Sequence, residues 1–341
     1  MSASDSLPRG GADMSASDSP PREGAVGSAT EPPTEPPTGG ATDRDRSWTV
    51  LELLRWTTDY FRRAGIETAR LDAELLLAHA LETERLRLYV NYEKPVLAVE
   101  RERYRALVQR RAQARVPVSQ LLGEREFWSL PFQVTSDVLT PRPETETLVE
   151  WALSKTTDFD ISHGVAGGAG ARLRIFDLGT GSGAVALALA SELPGAEIVA
   201  SDLSPAALQI ATQNADVLRT RERIRFVEGD LFEPVSGERF DLIVSNPPYV
   251  ARSAEGSLPP ELSHEPEVAL FAGADGLDVI RRLVAQAGDH LSEGGWLGVE
   301  LSPEQTEEVE HLLSKAGFVD IERRFDLASR PRVLGARWRG I

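Results

Sequence analysis

The sequence predicts an α/β fold, a largely parallel sheet with helices on both faces, preceded by a smaller helical unit. Three observations carry that expectation. Apolar runs LRIFDL (173–178), EIVASD (197–202), IRFVEGD (224–230), FDLIVS (240–245) and GGWLGVEL (294–301) alternate with segments of helical periodicity such as GAVALALASEL, SPAALQIATQNA and LDVIRRLVAQAGDHL. Strands that read as short unbroken apolar runs are buried on both faces, as in a parallel sheet between helix layers. A glycine-rich turn joins the first run to the first of these helices, and residues 48–113 carry apolar positions at helical spacing.

Taken in order, residues 1–46 hold seven prolines and six glycines but one Leu, one Val and no aromatic residue. Such a segment buries too little to offset its ordering entropy and is expected to be a disordered tail. Its stretch MSASDSLPRGGAD is nearly duplicated by MSASDSPPREGAV, which makes Met14 a candidate second start. From Trp48 the pattern changes. Val50, Leu53, Leu54, Thr57, Phe61 and Ala64 share one helical face and Gly65 follows as a stop, while residues 68–81 and 100–113 supply two further helices. Residues 47–120 therefore read as a helical bundle. Alternating apolar and polar residues with aromatics in REFWSLPFQVTSDVLT suggest a β-hairpin linker over 121–140. Residues 141–341 form the sheet domain, with a Gly-rich, patternless insertion expected at 156–172.

Composition narrows the function. With 341 residues and 41% hydrophobic content the chain holds ample core for two domains. No stretch approaches the roughly 18 continuous apolar residues of a membrane span, and no signal-peptide core precedes the fold, so the expected compartment is the cytoplasm and no membrane partner is expected. The absence of cysteine excludes disulfides, thiolate zinc sites and cysteine nucleophiles, and the five histidines have no metal-ligand spacing, so no metal is expected. A net charge of −16 argues against a broad nucleic-acid footprint.

Ligands of parallel sheets sit beyond the carboxyl ends of the strands. There DLGTGSGA places Gly179, Thr180, Gly181, Ser182 and Gly183 in a tight turn that lets a ligand approach the main chain. The spacing alone also satisfies a relaxed dinucleotide fingerprint. Asp202 ends the second strand, where a carboxylate can accept ribose hydroxyls or cap the following helix, a role Ser204 serves as well. Asp230 and Leu231, after the third strand, suit the polar edge and the face of an adenine. A dinucleotide would leave the segment at 246–249 unexplained; S-adenosyl-L-methionine would not, and its cationic sulfonium suits an acidic cleft.

That segment is Asn246-Pro247-Pro248-Tyr249, at the end of the fourth strand. Two prolines stop a ladder and leave carbonyls without partners. The Asn246 side-chain oxygen and the Pro247 carbonyl can hold the two N–H bonds of a planar amino group, aiming its lone pair at a methyl carbon and favouring the charge that develops there. Tyr249 can stack on the flat acceptor. Adenine, guanine and glutamine amides all answer that description.

Four motifs in order, LTPRPETETLVE (139–150), DLGTGSGAVALALA (177–190), FDLIVSNPPYV (240–250) and LPPELSHEPEVALFAGADGLDVIRRL (258–283), closely resemble the release factor glutamine methyltransferases of the PrmC/HemK family over roughly 48–338. The resemblance implies a seven-stranded S-adenosylmethionine-dependent methyltransferase fold, Rossmann-like with the last strand antiparallel. It also implies methylation of the side-chain amide nitrogen, N(5), of the glutamine in the Gly-Gly-Gln motif of class I peptide chain release factors, gripped in part by the helical bundle. By position, Gly179 to Gly183, Asp202, Leu231 and Asn246 would contact the methyl donor, Asn246 to Tyr249 the glutamine, and Pro141, Arg142 and Glu144 would lie beside the same pocket. PRPETE differs from the sister group that methylates a large-subunit ribosomal protein. Ser302 stands where the family usually has glycine, the insertion is longer, and DLASRPRVLGARW is a loose version of the terminal segment. The alternatives are an adenine or guanine amino-methyltransferase and a non-catalytic binding protein of the same fold; a monomer is expected, without direct nucleic-acid substrate.

Overall fold

The computed structural model describes residues 48–163 and 172–340. The tail expected at 1–46 lies outside the described residues, as do residues 164–171 of the expected insertion. Residues 156–163 differ from the patternless reading, because they continue a helix that begins at Glu146.

The first described residues form five helices: α1 (Val50–Arg63), α2 (Ala69–Ala80), α3 (Arg85–Val90), α4 (Ala98–Gln113) and α5 (Val118–Leu122). Thr49 and Glu52 cap α1 reciprocally, and Val50, Leu53, Leu54, Thr57 and Phe61 turn inward, on the face the spacing predicts. They pack on Leu76 and Leu77 of α2 and on Tyr104 and Val108 of α4. The hairpin follows as β1 (Glu124–Phe127) and β2 (Leu130–Gln133), joined by Trp128 and Ser129 in the left-handed region at φ 53° and 57°. A two-residue turn with both φ positive matches strand twist but strains residues other than Gly or Asn. Hydrogen bonds from the Trp128 backbone N–H to Glu146 (2.9 Å) and from its indole N–H to Glu192 (2.8 Å) offset that strain.

The sheet domain runs α6 (Glu146–His163), β3 (Arg174–Leu178), α7 (Ala184–Glu192), β4 (Glu197–Asp202), α8 (Pro205–Val217), β5 (Ile224–Glu228), β6 (Phe240–Ser245), α9 (Glu267–Leu270), α10 (Asp278–Ala287), β7 (Leu291–Glu300), α11 (Thr306–Lys315), β8 (Phe318–Phe325) and β9 (Pro331–Trp338). Strand order is β5-β4-β3-β6-β7-β9-β8, with β9 antiparallel to both neighbours. This is the seven-stranded methyltransferase architecture with a reversed last strand. Chain direction across the sheet reverses at β3, where β4 and β6 flank it, and Leu178 of β3 stands level with Ser245 of β6. The glycine turn and the Asn-Pro-Pro-Tyr segment therefore leave the sheet side by side. Ser302 follows β7 with φ −70°, so this position demands no glycine.

One face of the sheet is covered by α10 and α11, the other by α6, α7 and α8. On the second face Trp151 is fully buried over Gly298 of β7 and Gly335 of β9, whose absent Cβ atoms leave room for its ring. Its indole N–H donates to Glu322 at 2.6 Å. Interiors packed this tightly tolerate little added volume. Gly298→Ala is expected to destabilise the protein by about 2–3 kcal/mol, measured by urea unfolding, because the new methyl must displace a fully buried indole.

Candidate active site

Asn246 and Pro247 lie on the wall between two cavities. A cavity of about 210 Å³ is lined by Gly179, Thr180, Gly181, Ser182, Asp202, Asp230, Leu231, Pro141, Arg142 and Pro248 among others. The other, about 1250 Å³ and more open, runs between the helical unit, the hairpin and the 257–262 segment. Both share Leu139, Thr140, Arg142, Asn246, Pro247 and Ala269.

The small cavity is shaped by the glycine turn. Gly179 (φ +74°) and Gly181 (φ +55°) have no atom within 4 Å of where a Cβ would stand, so the space beside them belongs to the cavity. Gly183 is packed differently from Gly179 and Gly181. It is not part of the cavity lining, and its Cβ would come within 2.9 Å of Leu187 and 3.3 Å of Ala211. Its absent side chain thus serves helix packing. Asp202 accepts from Gly181 N–H at 2.8 Å and Ser204 N–H at 2.9 Å, while Ser204 itself caps α8 through Ala207 N–H. The carboxylate consequently shapes the turn and still presents free lone pairs; burial raises its pKa, against the pull of these N–H groups. Asp230 is paired with Arg282 at 2.5 Å on the rim, and Leu231 holds a strained φ of 50°.

Asp177 closes the floor beneath the turn. It is fully buried, accepts from Thr180 Oγ1 (2.6 Å) and Ala186 N–H (3.1 Å), and burial pushes its carboxyl up to about 6.

The quartet is fixed from several sides. Ser245 Oγ donates to the Leu178 carbonyl at 2.7 Å, Gln305 Nε2 to the Tyr249 carbonyl at 3.0 Å, and Val250 N–H to the Leu270 carbonyl at 2.8 Å. Gly276, at φ +80°, lies against the Tyr249 carbonyl where any Cβ would collide. Within this frame Asn246 Nδ2 donates to Thr145 Oγ1 at 3.2 Å, and Asn246 Oδ1 is buried with no hydrogen-bond partner. No described residue donates to the Pro247 carbonyl either. Two acceptors on adjoining residues are thus left open at the joint between cavities.

Tyr249 lines the large cavity, and its hydroxyl donates to Glu300 Oε1 at 3.4 Å. Burial, then the Glu300 charge, raises its pKa, so it stays a neutral phenol. Glu300, at the end of β7, is fully buried; burial pushes it up to about 7 against the pull of Thr145 and Arg332, and its Oε2 has no partner. Arg142 donates to both oxygens of buried Glu265 (2.8 and 2.6 Å), tying the segment after β2 to the one after the quartet. Glu144 stands between the lining residues Pro143 and Thr145 and pairs with Arg330 at 3.6 Å. Thr145, Asp177, Glu265 and Glu300 escaped sequence reasoning. A carboxylate inside an unbroken apolar run, as in IFDL and LGVEL, was the available signal for two of them.

The helical unit reaches the site through a buried ion network. Arg111 Nε donates to Asp72 (2.7 Å) and its Nη1 to Glu261 (2.7 Å), which also pairs with Arg115. His264 Nε2 lies 2.6 Å from the Ala114 carbonyl, and Gln120 donates to the His264 carbonyl at 2.9 Å.

Comparison with known proteins adds two family models, the PrmC N-terminal domain over residues 52–123 and the methyltransferase small domain over 168–265. The chain is 42% identical over 297 residues to the release factor glutamine methyltransferase of Geobacter sulfurreducens, covering 87% of this chain and 99% of that one. It is 40% identical to the protein of that name from Rhodopirellula baltica (86% and 97% covered) and 45% identical to that of Xylella fastidiosa (80% and 94%).

Asp177 and Glu300 carry a consequence for stability. Both native pKa values lie above those of the unfolded chain, so between about pH 4 and 7 the native state holds protons that the unfolded state has released. Their stabilising contribution is present at low pH and lost as pH rises through about 6 and 7. Urea unfolding is expected to show lower stability at pH 8 than at pH 5, and Asp177→Asn to remove about 1 kcal/mol of that drop.

Proposed function

The chain belongs to the release factor glutamine methyltransferases, and we propose that it transfers a methyl group from S-adenosyl-L-methionine to the side-chain amide nitrogen of a glutamine in a bacterial peptide chain release factor. The finer reading is N(5) of the glutamine in the Gly-Gly-Gln motif of class I factors. The observation that carries it is the pair of open acceptors, Asn246 Oδ1 and the Pro247 carbonyl, placed where a small cavity lined by the glycine turn meets a large one walled by the helical unit.

The small cavity suits a nucleoside. Gly179 and Gly181 keep its wall clear, Asp202 offers lone pairs to ribose hydroxyls, and Leu231 offers an apolar face to a flat base. S-adenosyl-L-methionine supplies an electrophilic methyl carbon when bound. The chain's own contribution is orientation. An amide nitrogen is a poor nucleophile because its lone pair is delocalised into the carbonyl. Holding both N–H bonds on Asn246 Oδ1 and the Pro247 carbonyl fixes the amide plane, so that the lone pair perpendicular to it faces the small cavity. As the nitrogen becomes positively charged its N–H groups become stronger hydrogen-bond donors, so both contacts strengthen in the transition state. No general base is needed there, since the methylated nitrogen is strongly acidic and water takes its proton.

The large cavity receives the protein substrate. Glutamine in a protein must arrive on a loop that can enter a cleft, and the helical unit with the 257–262 segment supplies two walls for it. Acidic and basic groups are mixed along this cleft, with Glu124, Glu126 and Glu261 beside Arg111, Arg115 and Arg125. A continuous basic groove of the kind that tracks a nucleic-acid backbone would be built otherwise.

Incubation with labelled S-adenosyl-L-methionine and a bacterial release factor, followed by peptide mass spectrometry, is expected to place one methyl group on the Gly-Gly-Gln glutamine; label elsewhere, or none, defeats the reading. Asn246→Ala is expected to lower kcat by roughly 10²–10³ while leaving affinity for the methyl donor nearly unchanged, because it removes one charge-stabilising acceptor. Equal losses in both would assign Asn246 to cofactor binding instead.

A further inference from the structure

Asn246 and Pro247 lie in a bend whose two ends are held in different ways. Upstream the chain belongs to the sheet: Ser245 pairs with Leu178 of β3 and Val299 of β7, and its hydroxyl donates to the Leu178 carbonyl at 2.7 Å. Downstream, Val250 makes a single parallel bridge to Phe271, with Val250 N–H on the Leu270 carbonyl at 2.8 Å and Ala272 N–H on the Val250 carbonyl at 3.0 Å. The peptide plane between Tyr249 and Val250 is thus tied through its N–H. A bond on the N–H alone would let that plane swing; a second bond on its carbonyl fixes it. Gln305 supplies the second, with Nε2 at 3.0 Å from the Tyr249 carbonyl.

Gln305 belongs to the 303–305 turn after β7 and lines neither cavity. Its Nε2 also donates to the carbonyls of Gly276 at 3.2 Å and Asp275 at 3.4 Å, and its Oε1 accepts from Ser302 N–H at 3.2 Å. Each end of this carboxamide meets partners of the opposite kind, so its orientation is determined. Room for the contact comes from Gly276, where a Cβ would stand 2.3 Å from the Tyr249 carbonyl oxygen and 2.8 Å from Gln305 Nε2. Three segments meet on one side chain: the quartet, the 275–276 turn and the end of β7.

We propose that Gln305 is a positioning residue that clamps the downstream end of the quartet and thereby aims the Pro247 carbonyl and the Asn246 side chain. The inference rests on the reading of those two oxygens as the holders of the substrate amide. Planar peptide bonds leave two torsions per residue, and each proline ring removes one of them. Between Ser245 and Tyr249 the prolines therefore keep only ψ, and a fixed peptide plane at Tyr249 is transmitted back to the Pro247 carbonyl with little slack. Released there, the bend pivots on its sheet end and the two acceptors lose their mutual angle.

Gln305 also has a local role, closing a capping box with Ser302 at the start of the 303–305 turn. The two roles respond oppositely to one substitution. Glutamate serves a capping box as well as glutamine does, since an acceptor still faces Ser302 N–H. An ionised carboxylate has no hydrogen to give to three carbonyls, so Gln305→Glu keeps the cap and opens the clamp. Gln305→Met removes both.

The test uses the full chain. In steady-state methylation of a release factor at pH 8, Gln305→Glu and Gln305→Met are each expected to lose about tenfold in kcat, and to bind S-adenosylhomocysteine within about threefold of wild type by calorimetry. Gln305→Glu is expected to keep the urea midpoint of the wild type. Wild-type kcat in Gln305→Glu assigns Gln305 to the cap alone and overturns the proposal, as does a kcat loss matched by an equal loss of S-adenosylhomocysteine affinity. A second readout needs no turnover. Pro248–Tyr249 is the one Pro-Tyr pair of the chain, so labelling proline carbonyls with 13C and tyrosine amides with 15N isolates its peptide group by NMR. Its signal is expected to be single and sharp in the wild type and to broaden or split in Gln305→Glu; a signal that stays single and equally sharp overturns the clamp. Broadening in a protein inactive toward release factors keeps the clamp and removes the substrate assignment. Should Gln305→Met fail to fold, Gln305→Glu decides through both readouts.

Discussion

The structure depends on a carbonyl oxygen that the fold buries and leaves unpaired. Asn246 Oδ1 has no partner, and leaving a buried acceptor unsatisfied costs roughly 1–3 kcal/mol. Proteins retain such a cost where a ligand removes it. Around this atom several polar groups are engaged elsewhere: Ser245 with the end of β3, Gln305 with the Tyr249 carbonyl, Val250 with Leu270. These bonds hold the loop from several sides and leave the oxygen open to a donor from outside.

Sheet topology places that oxygen where it can be used. Because β3 lies between β4 and β6, and Leu178 is level with Ser245, the glycine turn and the quartet diverge from the same edge and enclose the small cavity. The helical unit then builds the opposite wall of the large cavity, held by Arg111 between Asp72 and Glu261. Removing one partner of a buried pair of this kind leaves an uncompensated charge, which makes the placement of the helical unit stiff. Fold, small cavity and large cavity thus converge on two neighbouring carbonyl oxygens.

Much of this was legible in the sequence, and the reasons differ by element. Strands β3, β4, β6 and β7 are readable because burial on both faces leaves apolar runs, β5 because Ile224, Phe226 and Val227 stand out even at the sheet edge, and α1 because one face alternates sharply with the other. The last two strands were not found from residues, since FVDIERRF is charged along its edge and PRVLGARW carries a glycine that serves Trp151 on another element. Helix α6 runs into the Gly-rich stretch further than composition suggested. Around the small cavity, glycines that leave open space, Gly179 and Gly181, look the same in sequence as Gly183, which leaves room for Leu187 and Ala211. Only three-dimensional neighbours separate them. Thr145 and Glu300 lie 101 residues before Asn246 and at the end of β7, and no local pattern links them to it.

The most direct measurement is a crystal structure of the protein with S-adenosylhomocysteine and a release-factor peptide containing the acceptor glutamine. The account predicts that the glutamine nitrogen sits within hydrogen-bonding distance, about 2.7–3.2 Å, of both Asn246 Oδ1 and the Pro247 carbonyl, with its remaining face toward the sulfur. A glutamine whose nitrogen touches neither oxygen, or an Asn246 that turns its nitrogen to the guest, would contradict it.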